Sequence, residues 1–225
     1  MSHEQHPYEI IAEIFYFPEA DYPAKTDRCM QMLQEHYPVL APSFRPFTKF
    51  VEGTAIDKIR EIYMRTFDIQ ALCCMDLGYV LFGEDYTRGK ILANLNKEHN
   101  QAGIDCRGEL ADRLPNVLRL LPHLKDQELK AELVSYLLKP ALKKMASEFI
   151  PDRIEKKEDI YQKFHHTVLE KEDRWINKFL IPIESIQSMC KKDFPDLEPV
   201  EVGEGKDFMD SVKSEFKNQK KNNKF

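Results

Sequence analysis

The chain of 225 residues has few glycines and no excess of positive charge. Only 8 glycines occur, and valine and threonine are thinly spread, which favours helices over strands. The formal net charge is −5, so the strongly basic surface typical of nucleic-acid-binding proteins is missing, and we expect no nucleic-acid partner. No apolar run approaches the ~20 residues that a spanning helix needs, and we expect no direct membrane insertion.

The number and spacing of the cysteines argue against a disulfide framework. The 5 cysteines are odd in number, and no two show the C-x-x-C spacing of a zinc or redox motif. A bridge between the adjacent Cys73 and Cys74 would close a strained ring. We therefore expect reduced, buried thiols and neither a bound metal nor a cofactor.

Motifs of known catalytic chemistry are missing as well. The sequence contains no G-x-S-x-G elbow, no P-loop and no G-x-G-x-x-G turn. No pair of acids is set in apolar sequence as a general acid and base would be. The histidines of the His3-Glu4-Gln5-His6 run do not form H-E-x-x-H. The sequence therefore predicts no catalytic residues and a protein that is not an enzyme.

What is present is the composition of a soluble globular protein. Hydrophobic residues make up 42% and charged residues 32%. The first residues lack the basic and then apolar order of a signal peptide, so we expect a cytoplasmic protein. Apolar stripes at helical spacing predict a single all-α domain, a helical bundle over residues 1–190. Residues 191–225 lose the pattern, and we expect a flexible tail there.

Local signals set the predicted helix boundaries in the first half of the chain. Thr26 is the expected N-cap of a second helix, and the two prolines within 41–46 predict a bend. Thr54 is expected to open a helix, with Asp57 close to a capping box. The apolar run 69–82 favours a buried helix, although a run of this length is ambiguous by pattern alone.

The second half carries a similar set of signals. A helix is predicted over 84–101, ended by Gly103 in a left-handed cap. Asp112 is a candidate N-cap of a short helix, and Asp126 is expected to cap a long one that Pro140 interrupts. Ile183, Ile186 and Met189 predict a final helical turn.

Charged residues lie within or beside the apolar stripes between Tyr63 and Pro122. One interpretation is structural: Asp112 is a cap, and Glu84 and Arg88 form a surface pair at i,i+4 spacing worth roughly 0.3–0.5 kcal/mol. The other is a groove with acidic walls and an apolar floor, suited to a basic amphipathic helix of a partner. The residues alone leave both open.

Four segments in this part of the chain and before it have recognisable patterns of acid, arginine, aromatic and proline. Their residues are Tyr16, Phe17, Pro18 and Glu19; Tyr63, Phe67 and Asp68; Gly83, Glu84, Arg88 and Gly89; and Glu109, Leu110, Asp112, Leu114 and Pro115. In order and spacing they resemble the nitrate reductase delta subunit family of molybdenum-cofactor assembly chaperones, which is related to the twin-arginine redox-enzyme maturation chaperones. Ala111 and Arg113 replace the proline and histidine of that family's last segment, which leaves open a different partner sequence.

The resemblance implies an all-helical cytoplasmic chaperone, a monomer or weak dimer. Such a protein binds the N-terminal segment of a molybdopterin-containing catalytic subunit until the cofactor is inserted, as in nitrate reductase or a related respiratory molybdoenzyme. We expect the peptide-binding residues to be Phe67, Asp68, Glu84, Arg88, Glu109, Asp112 and Leu114. Within this set we hypothesise that Arg88 is a structural strut and that the acids receive basic residues of the peptide.

Two other functions remain open. One is a helical carrier of a metal, haem or molybdopterin compound, for which Cys73, Cys74, His165 and His166 are the nominated ligands. The two histidines point about 100° apart on a helix, so they need ligand partners elsewhere. The other is a structural adaptor of a respiratory complex.

Overall fold

The computed structural model describes residues 5–69, 71–154 and 176–200. Within these ranges the regular elements are helices, and two loops pair through one isolated β-bridge. The predicted all-α single domain is therefore confirmed. None of the helices described is both long and apolar enough to span a bilayer. The helices are α1 (Pro7–Ala12), α2 (Tyr22–His36), α3 (Ala41–Glu52), α4 (Ile56–Phe67), α5 (Leu77–Phe82), α6 (Tyr86–Ala102), α7 (Leu114–Leu120), α8 (Gln127–Glu132), α9 (Lys139–Ser147) and α10 (Leu180–Asp193).

α1 begins with a capping box at its N-terminus. The His6 side chain accepts a hydrogen bond from the Tyr8 amide at 3.4 Å, and the Glu9 carboxylate accepts one from the His6 amide at 2.9 Å. This reciprocal box satisfies two amides that lack helical partners. Ile14 and Phe15 are buried in a 3₁₀ turn that continues α1.

Three of the predicted boundaries before residue 70 are wrong. Thr26 lies inside α2, where its buried hydroxyl donates to the Tyr22 carbonyl at 3.0 Å. Residues 41–46 begin α3 instead of forming a bend, because Pro42 lies in the first turn and an apolar face outweighs the bond lost at Pro46. The next helix begins at Ile56, and Thr54 does not cap it.

The apolar run 69–82 is helical only from Leu77 onwards. Cys73 and Met75 are buried in a loop, and the Cys73 amide donates to the Thr66 carbonyl at 2.9 Å. A buried helix over the whole run was therefore a wrong prediction. Tertiary pairing of the loop overrides its helical pattern.

The long helix predicted after Asp126 is present and interrupted where expected. Asp126 accepts hydrogen bonds from the amides of Glu128 and Leu129 at 2.9 and 3.2 Å, so the predicted cap is confirmed. Between α8 and α9 the chain forms a π-helical stretch, Leu133–Leu138, which ends just before Pro140. The predicted left-handed cap at Gly103, with φ 67°, is confirmed too.

The last described segment is more regular than its sequence predicts. Ile183, Ile186 and Met189 lie buried in α10, a helix of 14 residues that runs to Asp193. α10 packs against α9 and α3. The histidines at 165 and 166 and the tail beyond residue 200 lie outside the described residues.

An aromatic cluster joins the N-terminal helices to the start of α10. Phe179 is buried, and its ring centroid lies 5.6 Å from that of Phe47, 5.8 Å from Tyr63 and 5.1 Å from Phe67. These edge-on contacts connect α3, α4 and α10.

We predict that Phe179→Ala lowers the free energy of unfolding by about 3–5 kcal/mol, because the cavity lies where three helices meet. Phe17→Ala is the matched control, because Phe17 is part-exposed and touches the same cluster only at Tyr63, at 5.7 Å. Urea unfolding measures both. Equal losses for the two variants would contradict a core centred on Phe179.

Candidate functional site

A single antiparallel β-bridge between Asp76 and Arg113 organises the site. The Leu77 amide donates to the Asp112 carbonyl at 2.9 Å, and the Leu114 amide donates to the Met75 carbonyl at 2.8 Å. The bridge aligns the loop before α5 with the loop before α7. It thereby brings together side chains that are far apart in sequence.

Arg88, from the first turns of α6, spans the two loops. Its Nε donates to Asp112 Oδ2 at 3.1 Å, and its Nη2 donates to Asp76 Oδ2 at 2.9 Å. Its guanidinium carbon lies 5.2 Å from the centre of the Tyr79 ring, a cation–π distance. Arg88 therefore joins α6, α5 and the bridge in one charge-assisted network.

Asp112 is the buried end of this network. Its side chain has no exposed area, and its Oδ1 has no hydrogen-bond donor among the described residues. Burial raises the pKa of the Asp112 carboxyl above its ordinary value, and the hydrogen bond from Arg88 opposes the shift. The predicted N-cap role is wrong, because Arg113 occupies the N-cap position of α7 while the Asp112 side chain binds Arg88.

Arg113 forms the outer part of the network, with looser contacts. Its guanidinium nitrogens lie 3.9 Å from Asp68 Oδ1, 3.9 Å from Asp76 Oδ1 and 3.5 Å from Glu109 Oε2. Asp68 and Glu109 are exposed, whereas Arg113 is largely covered. We call the six residues the acid–arginine cluster: Asp68, Asp76, Arg88, Glu109, Asp112 and Arg113.

The acid–arginine cluster carries excess negative charge beside exposed apolar side chains. Four carboxylates against two guanidinium groups leave a formal charge of −2. Ile69 follows Asp68 and is 57% exposed, and Leu110 follows Glu109 and is 47% exposed. Tyr79, which stacks on Arg88, is 42% exposed. The surface thus combines open carboxylate oxygens with apolar area, which suits a ligand that is both basic and apolar.

The other predicted site residues lie in different settings. Phe67 and Leu114 are buried in the core, next in sequence to Asp68 and Arg113. Glu84 is exposed and precedes the Asp85 N-cap of α6, so it lies outside the helix. The predicted Glu84–Arg88 pair is therefore wrong: Arg88 is bound by Asp76 and Asp112 instead.

Two cluster residues are missing from the predicted set: Arg113, noted only as a departure from the family's last segment, and Asp76, which was not noted at all. Asp76 lies 36 residues before Asp112, and only the bridge brings the two to one arginine. No local pattern marks it. The one available signal is that apolar residues, Met75 and Leu77, flank Asp76 and indicate burial. A buried acid needs a partner.

The cysteines nominated for a carrier function do not form a ligand set in the described part of the chain. Cys73 is buried and Cys74 is half-buried, and all five cysteines are free. Burial raises the pKa of the Cys74 thiol. Over residues 5–69, 71–154 and 176–200, no three His, Cys, Asp or Glu side chains are placed to hold a metal ion.

Comparisons with known protein families and with curated proteins return no match for this chain. The acid–arginine cluster is therefore the basis of the function proposed below.

Two glycines test the close packing of the cluster. A Cβ on Gly78 would lie 2.7 Å from Asp112 Oδ2 and 3.2 Å from Arg88 Cγ, whereas a Cβ on Gly89 would meet no atom within 4 Å. We predict that Gly78→Ala destabilises the protein by about 1–3 kcal/mol, because the buried carboxylate must move. Gly89→Ala should stabilise it by up to about 1 kcal/mol through helix propensity. Similar gains for both, in urea unfolding, would contradict this packing.

Replacing Arg88 should lower the free energy of unfolding by an amount that depends on pH. In Arg88→Met the Asp112 carboxylate is buried without its cation, and we predict a loss of about 3–5 kcal/mol near pH 7. The folded-state pKa of Asp112, already raised, then rises further, so the folded state binds the proton more readily than the unfolded chain does. Stability present at low pH is lost as the pH rises through that pKa.

The difference between wild type and Arg88→Met should therefore shrink as the pH falls from about 7 towards about 4.5. Urea unfolding of both proteins at several pH values measures it. A difference that stays constant over this range would show that Asp112 is not the group left unpaired.

Proposed function

We propose that this protein is a chaperone that binds the N-terminal segment of a molybdopterin-containing catalytic subunit and holds it during cofactor insertion. The observation that carries the proposal is the acid–arginine cluster, which has a formal charge of −2 and whose two exposed acids, Asp68 and Glu109, each adjoin an exposed aliphatic side chain. Asp68, Arg88, Glu109 and Asp112, on which the resemblance to the nitrate reductase delta subunit family rests, are all members of this cluster.

The two arginines support a division of roles. Arg88 holds Asp76 and Asp112 at hydrogen-bond distance, as a strut would. Arg113 lies 3.5–3.9 Å from its acids, and no described side chain donates a hydrogen bond to Asp68 or Glu109. The outer carboxylates thus keep acceptor positions for the cations of a ligand. A client lysine or arginine would gain charge-assisted hydrogen bonds there.

The apolar side chains supply the second half of the interaction. Ile69 and Leu110 offer area to the apolar face of a client segment that becomes helical on docking. Ordering such a segment costs part of the gross binding energy, which keeps the affinity moderate. Moderate affinity suits a chaperone, since the client must be released.

Calorimetric titration with N-terminal peptides of the organism's molybdoenzyme catalytic subunits tests the proposal. We expect saturable binding of one peptide with a negative heat-capacity change. Failure of every peptide to bind the folded protein would contradict the chaperone role. Metal and chromophore analysis of the same sample would then separate a carrier from a structural adaptor.

A charge reversal tests which residues read the peptide. Asp68→Lys should weaken binding by at least about tenfold at low salt, because an acceptor of charge-assisted hydrogen bonds becomes a like charge. The control is Asp27→Lys, the same change at an exposed position of α2 outside the cluster. Both variants should keep the thermal midpoint of wild type within a few degrees. Normal binding by Asp68→Lys would show that Asp68 does not read the peptide.

A further inference from the structure

The π-helical stretch before Pro140 leaves one carbonyl without its regular donor. In this stretch the Lys139 amide donates to the Val134 carbonyl, five residues back. The next donor in the series would be residue 140, directed at the Ser135 carbonyl, but proline has no N–H. A buried carbonyl without a donor is costly, so Ser135 needs a partner from elsewhere.

The segment after α10 supplies that partner. The Val200 amide donates to the Ser135 carbonyl at 3.1 Å. Lys139, beside the proline, donates from its ammonium group to the carbonyls of Phe194 and Leu197. We call residues 194–200 the strap. Three of its carbonyl and amide groups are bound at the point where Pro140 breaks the helix.

Besides these polar contacts, the strap is held by Phe194 and Leu197, which pack against the edge of the core. The Phe194 ring centroid lies 6.4 Å from that of Tyr8. Phe194, Leu197 and Val200 are only part-buried, and the four residues between them are exposed. A cavity of about 310 Å³ lies beside it, with Leu142 and Gln187 among the lining residues and Pro195 and Pro199 forming its strap side. A segment with few buried apolar contacts opens at low free energy, so the strap is suited to docking and release.

Contacts connect the strap to the acid–arginine cluster through α9 and α5. α9 begins at Lys139 and packs against α5, where Lys144 Nζ donates to the Leu81 carbonyl at 3.4 Å. α5 in turn carries Gly78, whose backbone lies against Asp112 and Arg88.

We propose that the strap is a latch. Docked, it completes the broken helix, fixes α9 and α5 and keeps the acid–arginine cluster assembled. Released, it loosens both helices and weakens the cluster. That the latch controls ligand affinity rests on the proposed function, whereas the structural coupling does not.

Hydrogen exchange followed by mass spectrometry on the full chain tests the coupling. Lys139→Met removes both ammonium hydrogen bonds and keeps a similar side-chain length. We expect amides in 133–138 and in 77–82 to exchange about tenfold faster than in wild type. Val200→Pro, which removes the amide that binds Ser135, should act in the same direction. Lys191→Met, at an exposed lysine beside the same cavity, is the control and should change neither region.

Unchanged exchange at 133–138 and 77–82 in both variants would overturn the latch. A change at 133–138 alone would show that the strap seals the π-helical stretch without reaching α5, and would also overturn the proposed coupling. Peptide titration of Lys139→Met adds the functional part: we expect weaker binding than in wild type. If wild type binds no peptide, the proposed function fails, and the exchange rates still decide the latch.

Discussion

The hydrogen bonds from Arg88 to Asp112 and Asp76 are the constraint on which the centre of this structure depends. A carboxylate without solvent contact persists only if a cation is held beside it, and Arg88 Nε lies 3.1 Å away. The same guanidinium reaches Asp76 in the loop before α5. Without it, the β-bridge would hold Asp76 and Asp112 together with only the looser contact of Arg113, 3.9 Å from Asp76, and Asp112 would lose its bound cation.

This arrangement divides the cluster into residues that stabilise the fold and residues that are open to a ligand. The inner arginine has short hydrogen bonds and a fully covered partner, whereas the outer arginine has longer contacts to exposed acids. Arg88, Asp76 and Asp112 fix the two loops, and the loops carry Arg113 beside Asp68 and Glu109. The carboxylates of Asp68 and Glu109 keep free acceptor positions. Preorganised carboxylates bind a cation at lower entropic cost than acids on a mobile loop. The arrangement therefore suits the binding of a basic, apolar segment, as proposed above.

Sequence reasoning predicts the features set by neighbouring residues. Asp126 as a cap, Gly103 in a left-handed turn and the interruption at Pro140 each follow from the chemistry of one or two residues, and the structure contains all three. The features set by tertiary contact were not predicted. Asp112 has the pattern of a cap and is instead buried against Arg88, and Asp76 has no local signal at all. The π-helical stretch combines a local and a tertiary feature. Its position follows from Pro140, but the residue that binds the Ser135 carbonyl, Val200, lies 65 residues away.

The central claim is that the outer face of the acid–arginine cluster binds a basic, apolar segment. Its most direct test is amide NMR of the labelled protein during titration with the N-terminal peptides of molybdoenzyme catalytic subunits. The account predicts that the largest shift changes cluster at Asp68, Ile69, Glu109, Leu110 and Arg113, with smaller ones along α5. Saturable changes confined to another surface, or none at peptide concentrations well above a micromolar Kd, would contradict it.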